Sequence, residues 1–440
     1  MVTLKVIRNR PSPVRDQPTP NRTAKTGALS VLICVCLAGI CWYNNRLPRI
    51  TVPTHALPTN NAFDDWVKAG KMLTKTKSIG PIYLGSWGTD YTFADLQASY
   101  QESRPALEVF RRGLRKPYLH PAVRSFDITS PYFTANREIA RLLSAEALYY
   151  QCTGQYGKAV DARLDGMEFG AVQSKGAPMT GGLSGNACMT ISRLHFEDLI
   201  PRLSRAELAK TAQRLETIES RIVPLSEVIR EEGYRSAASL RASMERERNP
   251  IKLFTTLSGG GSDWWETTWL SVQLAFTNKQ KMLDSQADYF NNMANDAQKP
   301  YVSLSAGPLP DGPLADLIYP EFTRSRRLFE TQNAIVYILQ MEVALRRYFL
   351  DNLCYPTKLS ELVPKYMQTI SPDPFGNKPF VYRLISPNKY LLYSLGRNFR
   401  DDGGIGGRMR RNSDIVAGSL ERSRVPALMI KGAPVPTALQ

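Results

Sequence analysis

Histidine is nearly absent from this chain: there are three in 440 residues, His55, His120 and His195. No two of them share a metal-ligand spacing and no H-E-x-x-H occurs, which excludes an imidazole-built zinc centre of the common kinds. Cysteine is almost as scarce. Of the six, Cys34, Cys36 and Cys41 fall in one apolar stretch, and Cys152, Cys188 and Cys354 lie far apart with no C-x-x-C pair. A zinc ribbon and a disulfide framework are both excluded on that pattern. Cys152 and Cys188 are expected as separate buried thiols, with a bridge in an oxidising compartment as the alternative. A G-x-S-x-G elbow and a Walker-type phosphate loop are also missing, so no catalytic residue is nominated and a non-enzyme is expected. Acid is in deficit, 40 Asp and Glu against 56 Lys and Arg, for a formal charge of +16. Such an excess suits an anionic partner. Beyond the N-terminus, however, the basic residues are spread along segments that also carry acids, with no aromatic-spaced basic stripe, so no nucleic-acid partner is expected.

What the chain does have is enough apolar residue for several cores. At 43 % hydrophobic and 22 % charged it reads as globular, and its length implies two or three folding units. Residues 1–25 carry Lys5, Arg8, Arg10, Arg15, Arg22 and Lys25 against Asp16 alone. The uncharged run TGALSVLICVCLAGICWYNN follows. About 20 residues at 1.5 Å each span roughly 30 Å of hydrocarbon, and Trp42 and Tyr43 stand where aromatic rings prefer the interface. The run predicts a transmembrane signal-anchor over residues 26–45 with lipid as its partner. The basic flank places residues 1–25 in the cytoplasm and the bulk outside, as in a single-pass protein of a bacterial inner membrane.

Residues 46–60, with three prolines between Leu47 and Asn60, read as a linker. Asn61 caps an amphipathic helix, and the pattern over 61–299 is mainly helical, with glycine-rich breaks at 80–91 and 258–262. Within it the turn GQYGKA (Gly154 to Ala159) joins two helices of an αα-hairpin and resembles, in a single copy over 135–172, the middle of a tetratricopeptide repeat. Ser204 and Glu207 form a capping box. The Trp264, Trp265 and Trp269 cluster is expected as a core stripe, with a ligand groove as the alternative. His195, beside Glu197 and Asp198, is expected as a solvated or core-edge residue rather than a ligand. A proline-rich linker spans 300–323, a compact α+β unit 324–416 and a flexible tail 417–440.

In that unit, residues 324–351 predict a long amphipathic helix, Pro356 stops it, DPFGNKP turns the chain, and FVYRLI and KYLLYSLG form a hairpin through Ser386-Pro387-Asn388. The order of ALRRYFLDNLCYPT (Ala344 to Thr357), DPFGN (Asp373 to Asn377) with Tyr382-Arg383, YSLG (Tyr393 to Gly396) and DDGG (Asp401 to Gly404) resembles the globular part of the type II secretion major pseudopilin. The likeness covers roughly a fifth of the chain. It departs in having its apolar run some 280 residues upstream, with no glutamate after Gly27. The resemblance implies calcium in the C-terminal loop, held by Asp401, Asp402 and Asp414 with carbonyls near Ser394 or Leu395. The alternative is that these aspartates only make turns and pair with Arg408, Arg410 and Arg411.

The fold class expected is therefore α+β: one N-terminal transmembrane helix, a mainly α-helical extracytoplasmic domain, and a small pseudopilin-like unit of long helix plus antiparallel hairpin. The function expected is a membrane-anchored structural or interaction protein with an unidentified protein partner. The alternatives are a part of a secretion or pilus-like apparatus, and a hydrolase or ligand-binding domain built on 61–300.

Overall fold

The computed structural model describes residues 22–73, 92–125, 132–258, 263–301, 315, 320, 322–404, 414–417 and 430–434, with side chains of the first helix from Ser30 onward. The basic tail before Arg22, the glycine-aromatic loop at 80–91, the glycine break at 259–262, residues 302–314 and Arg408, Arg410 and Arg411 lie outside the described residues.

Local chemistry sets the helix starts. Helix α1 runs Arg22–Asn44 and α2 Ala62–Leu73; Asn61 accepts from the Phe63 amide at 3.2 Å and donates to the Leu119 carbonyl at 2.7 Å. Helix α3 (Phe93–Leu114) opens on a capping box in which Asp95 takes the Thr92 amide at 2.9 Å and the Thr92 hydroxyl takes the Asp95 amide at 3.3 Å. Helices α4 (Tyr132–Cys152) and α5 (Tyr156–Val172) form the expected hairpin, reversing at Gly154, whose φ of 72° only glycine adopts without strain. Then come α6 (Met179–Ser192), α7 (Arg205–Arg221), with Ser204 and Glu207 as its capping box, and α8 (Leu225–Arg246). Helices α9 (Pro250–Ser258), α10 (Trp264–Phe276), α11 (Lys279–Asp296) and α12 (Thr323–Asn352) complete the set among the described residues. One antiparallel sheet follows, ordered β1 (Val381–Ser386), β2 (Lys389–Ser394) and β3 (Ile415–Val416). Val381 pairs with Tyr393, and Tyr393 in turn with Val416.

Four apolar clusters hold these elements. The first joins α2, α3 and α4 around Trp66, Leu107, Phe110 and Leu143. The second joins α5 to α7 around Leu164, Met167, Phe196 and Leu215; the third joins α8 to α11 around Val228, Phe254 and Phe290; and the fourth packs Leu362, Phe375, Phe380 and Leu392 beneath the sheet. Helix α12 enters three of them: Phe329 the third, Ile335 and Leu339 the second, Ile338 and Leu345 the fourth. Its apolar residues cover more than one face, as they must in a helix packed on several sides. Its buried Arg326 donates to the carbonyls of Asp296, at 2.6 Å, and Lys299, closing the C-terminal end of α11. In the segment expected as a loose tail, Ile430 is buried in the first cluster and the Lys431 carbonyl accepts from Phe93 at 2.9 Å.

Two expectations are corrected. The first is the transmembrane signal-anchor over 26–45, and with it the single-pass inner-membrane placement and the lipid contact through that span. Among the described residues no helix is long and apolar enough to cross a membrane. Helix α1 itself forms over Arg22–Asn44. Its end is polar and fastened to another helix, with Asn44 donating to the Phe276 carbonyl at 2.6 Å and Asn45 to that of Ala275 at 2.8 Å. The second is the tryptophan stripe. Trp264, Trp265 and Trp269 are 68 %, 74 % and 63 % exposed, because α10 buries its other side through Ser271 and Leu274.

Candidate functional site

Three helices end at one place. The C-termini of α3 at Leu114, α5 at Val172 and α7 at Arg221 converge with the start of α8 at Leu225 and leave a cleft of about 570 Å³ between them. Its floor is aromatic. Trp66 is buried with its indole donating to the Phe110 carbonyl at 3.3 Å, lies 4.7 Å from the Tyr118 ring and packs edge-on against Phe169. Tyr118 donates to the Gln173 carbonyl at 3.3 Å and the His120 amide to the Lys175 carbonyl at 3.0 Å, so the segments after α3 and α5 are tied together.

The rim is charged unevenly. Arg115, Lys116, Lys175 and Arg221 face Glu168 and Glu227, four cations against two carboxylates. Part of this positive charge answers the negative ends of three helix dipoles. Lys116 sits 2.5 Å from Asp65, and Arg221 pairs with Glu168. Arg115 and Lys175 are exposed, and among the described residues neither has an ion pair. Pro224 precedes α8 without a side-chain cap, leaving amide donors of its first turn without that partner.

Behind the rim runs a ladder of alternating charge. Glu146 accepts from Arg111 at 2.6 Å, Arg111 also holds Asp165 at 2.7 Å, Arg214 joins Asp165 at 2.8 Å to Glu168 at 3.2 Å, and Glu168 reaches Arg221. Burial raises the Glu146 pKa, and its Arg111 partner offsets only part of that. The ladder crosses α3, α4, α5 and α7, so it fixes the helix ends that shape the cleft.

The aspartates nominated for calcium each have hydrogen-bond partners. Asp401 accepts from the Tyr393 hydroxyl at 2.6 Å, the Gly403 amide at 2.8 Å and Arg383 at 3.1 Å. Asp402 accepts from Asn398 at 2.9 Å, and the buried Asp414 from the Gly404 amide at 2.8 Å. Burial, and then the charges of Asp402 and Asp401, raises the pKa of Asp414. Among the described residues no three His, Cys, Asp or Glu side chains form a group that could hold a metal ion. Donors occupy several of the oxygens a calcium ion would need, while Asp414 Oδ1 is buried without a hydrogen-bond partner. The loop's anchor is Asp373 instead, buried and accepting from Phe375 at 3.0 Å, Ser394 at 2.9 Å and Leu395 at 3.1 Å.

The histidines are engaged singly. His120 is buried, with Nδ1 2.7 Å from the Pro121 carbonyl and Nε2 2.8 Å from the Tyr132 hydroxyl, and burial lowers its pKa. His195 lies 3.2 Å from Asp198, and His55 3.1 Å from Glu231. Cys152 and Cys188 are separate buried thiols. No sequence motif pointed to the cleft, because its walls come from four segments separated by tens of residues, each ordinary by itself. No protein-family model matches this chain, and neither a curated protein nor a solved structure does.

Proposed function

We propose that this chain is an interaction protein that acts by binding rather than by catalysis, and that the cleft at the ends of α3, α5 and α7 receives an acidic segment of a partner protein. The observation that carries this reading is the pair of exposed cations, Arg115 and Lys175, above an aromatic floor in a preformed cleft. Carboxylates of the partner meet Arg115, Lys175 and the uncapped start of α8, while an apolar side chain covers Tyr118. The charge ladder supports the same reading, since a rigid wall loses little ordering entropy on binding. The pseudopilin-like character of residues 324–416 is also a proposal, resting on the order of its four motifs. In this reading the unit is a structural module whose long helix props the binding region.

The test uses fluorescein-labelled peptides carrying three or four glutamates around one tryptophan, with fluorescence anisotropy as the readout. The Arg115→Glu/Lys175→Glu double variant is expected to weaken binding at least about tenfold, with a steep salt dependence in the unmodified protein. Equal affinity for both proteins, or equal affinity for a lysine-substituted peptide, refutes the assignment.

A further inference from the structure

A second pocket, of about 470 Å³, lies where the C-terminal end of α1 meets the junction of α8 and α9. Its walls include Trp42, Met244 and Leu253, and its charged groups are Arg46, Arg248, Glu247 and Lys279. Lys279 is the unusual one, since a lysine 4 % exposed is normally matched by a carboxylate. Among the described residues it has no such partner. Its ammonium donates to the Leu274 carbonyl and, at 3.2 Å, to that of Thr277, which closes the C-terminal end of α10. An ammonium has three N–H donors, so one is left over. Burial pulls the Lys279 pKa down to about 8, as expected of a cation without an anion beside it. At the mouth, Arg46 lies 4.2 Å above the Trp42 ring, and neither Arg46 nor Arg248 has an ion pair among the described residues.

We propose that this pocket binds a phosphomonoester, with its phosphate held by Lys279, Arg248 and Arg46 and any apolar portion packed on Met244 and Leu253. Three cations against Glu247 leave a surplus of two, the charge of a phosphomonoester dianion. Guanidinium forks match phosphate oxygens in pairs, and an ammonium supplies a point charge beneath them. The mixed lining admits two sources of that phosphate, a soluble ion or the head of an amphiphile. This site is separate from the cleft, and its failure leaves the cleft untouched.

The experiment is calorimetric titration of the full chain with inorganic phosphate, with dihexanoyl phosphatidate below its micelle concentration, and with dihexanoyl phosphatidylcholine as the zwitterionic control. Phosphatidate binding about tenfold tighter than phosphate assigns the amphiphile, and equal affinities assign the soluble ion. In either case Lys279→Met, and independently the exposed pair Arg46→Ala/Arg248→Ala, should weaken binding about tenfold or more. The arginine pair carries the test if Lys279→Met fails to fold. Phosphatidylcholine binding as tightly as phosphatidate, binding insensitive to the arginine pair, or no heat from either phosphate ligand overturns the proposal.

Discussion

Replacing Gly185 by alanine sets two opposed effects against each other where α5 meets α6. Alanine is better than glycine inside a helix by about 1 kcal/mol, so in open space the exchange would stabilise. Here the space is taken. A Cβ at Gly185 would stand 2.5 Å from the Gly170 carbonyl oxygen, 3.2 Å from Gln173 Cβ and 3.3 Å from Ser174 Oγ. The first contact is with backbone, which cannot swing aside, so the helices must separate by somewhat under about 1 Å. Overpacking costs about 1–3 kcal/mol and a clash with backbone falls at about 2–3, so after the propensity gain the net expectation is a loss of about 1–2 kcal/mol. The reciprocal exchange at Gly170 meets Gly185 O at 2.6 Å and Met189 N at 2.7 Å, so it should cost a similar amount. The double variant should cost less than the sum, because the first methyl has already parted the helices. Gly39→Ala, with nothing within 4 Å of the added carbon, is the control and should show no loss. Thermal melts followed by circular dichroism read the order of the four proteins. The same melts should be accompanied by weaker peptide binding in Gly185→Ala, because Gln173 and Ser174 lead directly into Lys175 on the cleft rim. A Gly185→Ala protein as stable as the parent, or more so, would falsify the close-approach argument.

Two further outcomes follow from single side chains. The folded-state pKa of Lys279, about 8, lies below its ordinary 10.5, so between those values the unfolded chain holds a proton that the folded chain has released. The penalty for burying the cation is therefore complete below pH 8 and relieved as pH rises toward 10.5. Relative to Lys279→Met, the parent should gain on the order of 3 kcal/mol across that window, and a flat difference between pH 7 and 10.5 contradicts the burial. Asp373→Ala leaves the Phe375 amide, the Ser394 hydroxyl and the Leu395 amide without their acceptor and should cost about 3 kcal/mol, whereas Asp402→Ala should stay within about 0.5 kcal/mol. Comparable losses in denaturant titrations of the two would show that Asp373 is not the loop's anchor.

Legibility in the sequence followed the range of the interactions. The hairpin of β1 and β2, the start of α7 at Ser204 and Glu207, and the reversal at Gly154 depend on residues within a few positions of one another, and all were readable. The long helix was readable as a helix, but not as one shared by three cores. Periodicity shows that an element has an apolar face and is silent on what that face meets. The same limit misled the reading of Trp264, Trp265 and Trp269, where apolar character was taken for burial. The importance of Asp373 was hidden because its partners at Ser394 and Leu395 are some twenty residues away and two are backbone or hydroxyl groups without a distinctive signature. Lys279 escaped for a related reason: one lysine after a helix end looks solvated until other segments close over it.

The central position of α12 has a consequence for the order in which a nascent chain can mature. Everything from Arg22 to Phe322 is synthesised before the thirty residues of Thr323–Asn352 that contribute to three of the four cores. At translation speeds of about 5–20 residues per second, that leaves an interval of seconds in which the apolar face of α7 around Leu215 awaits its cover. A message cut short ahead of codon 323 would yield a polypeptide with that greasy surface permanently open, a substrate for chaperones and proteases rather than a smaller working protein.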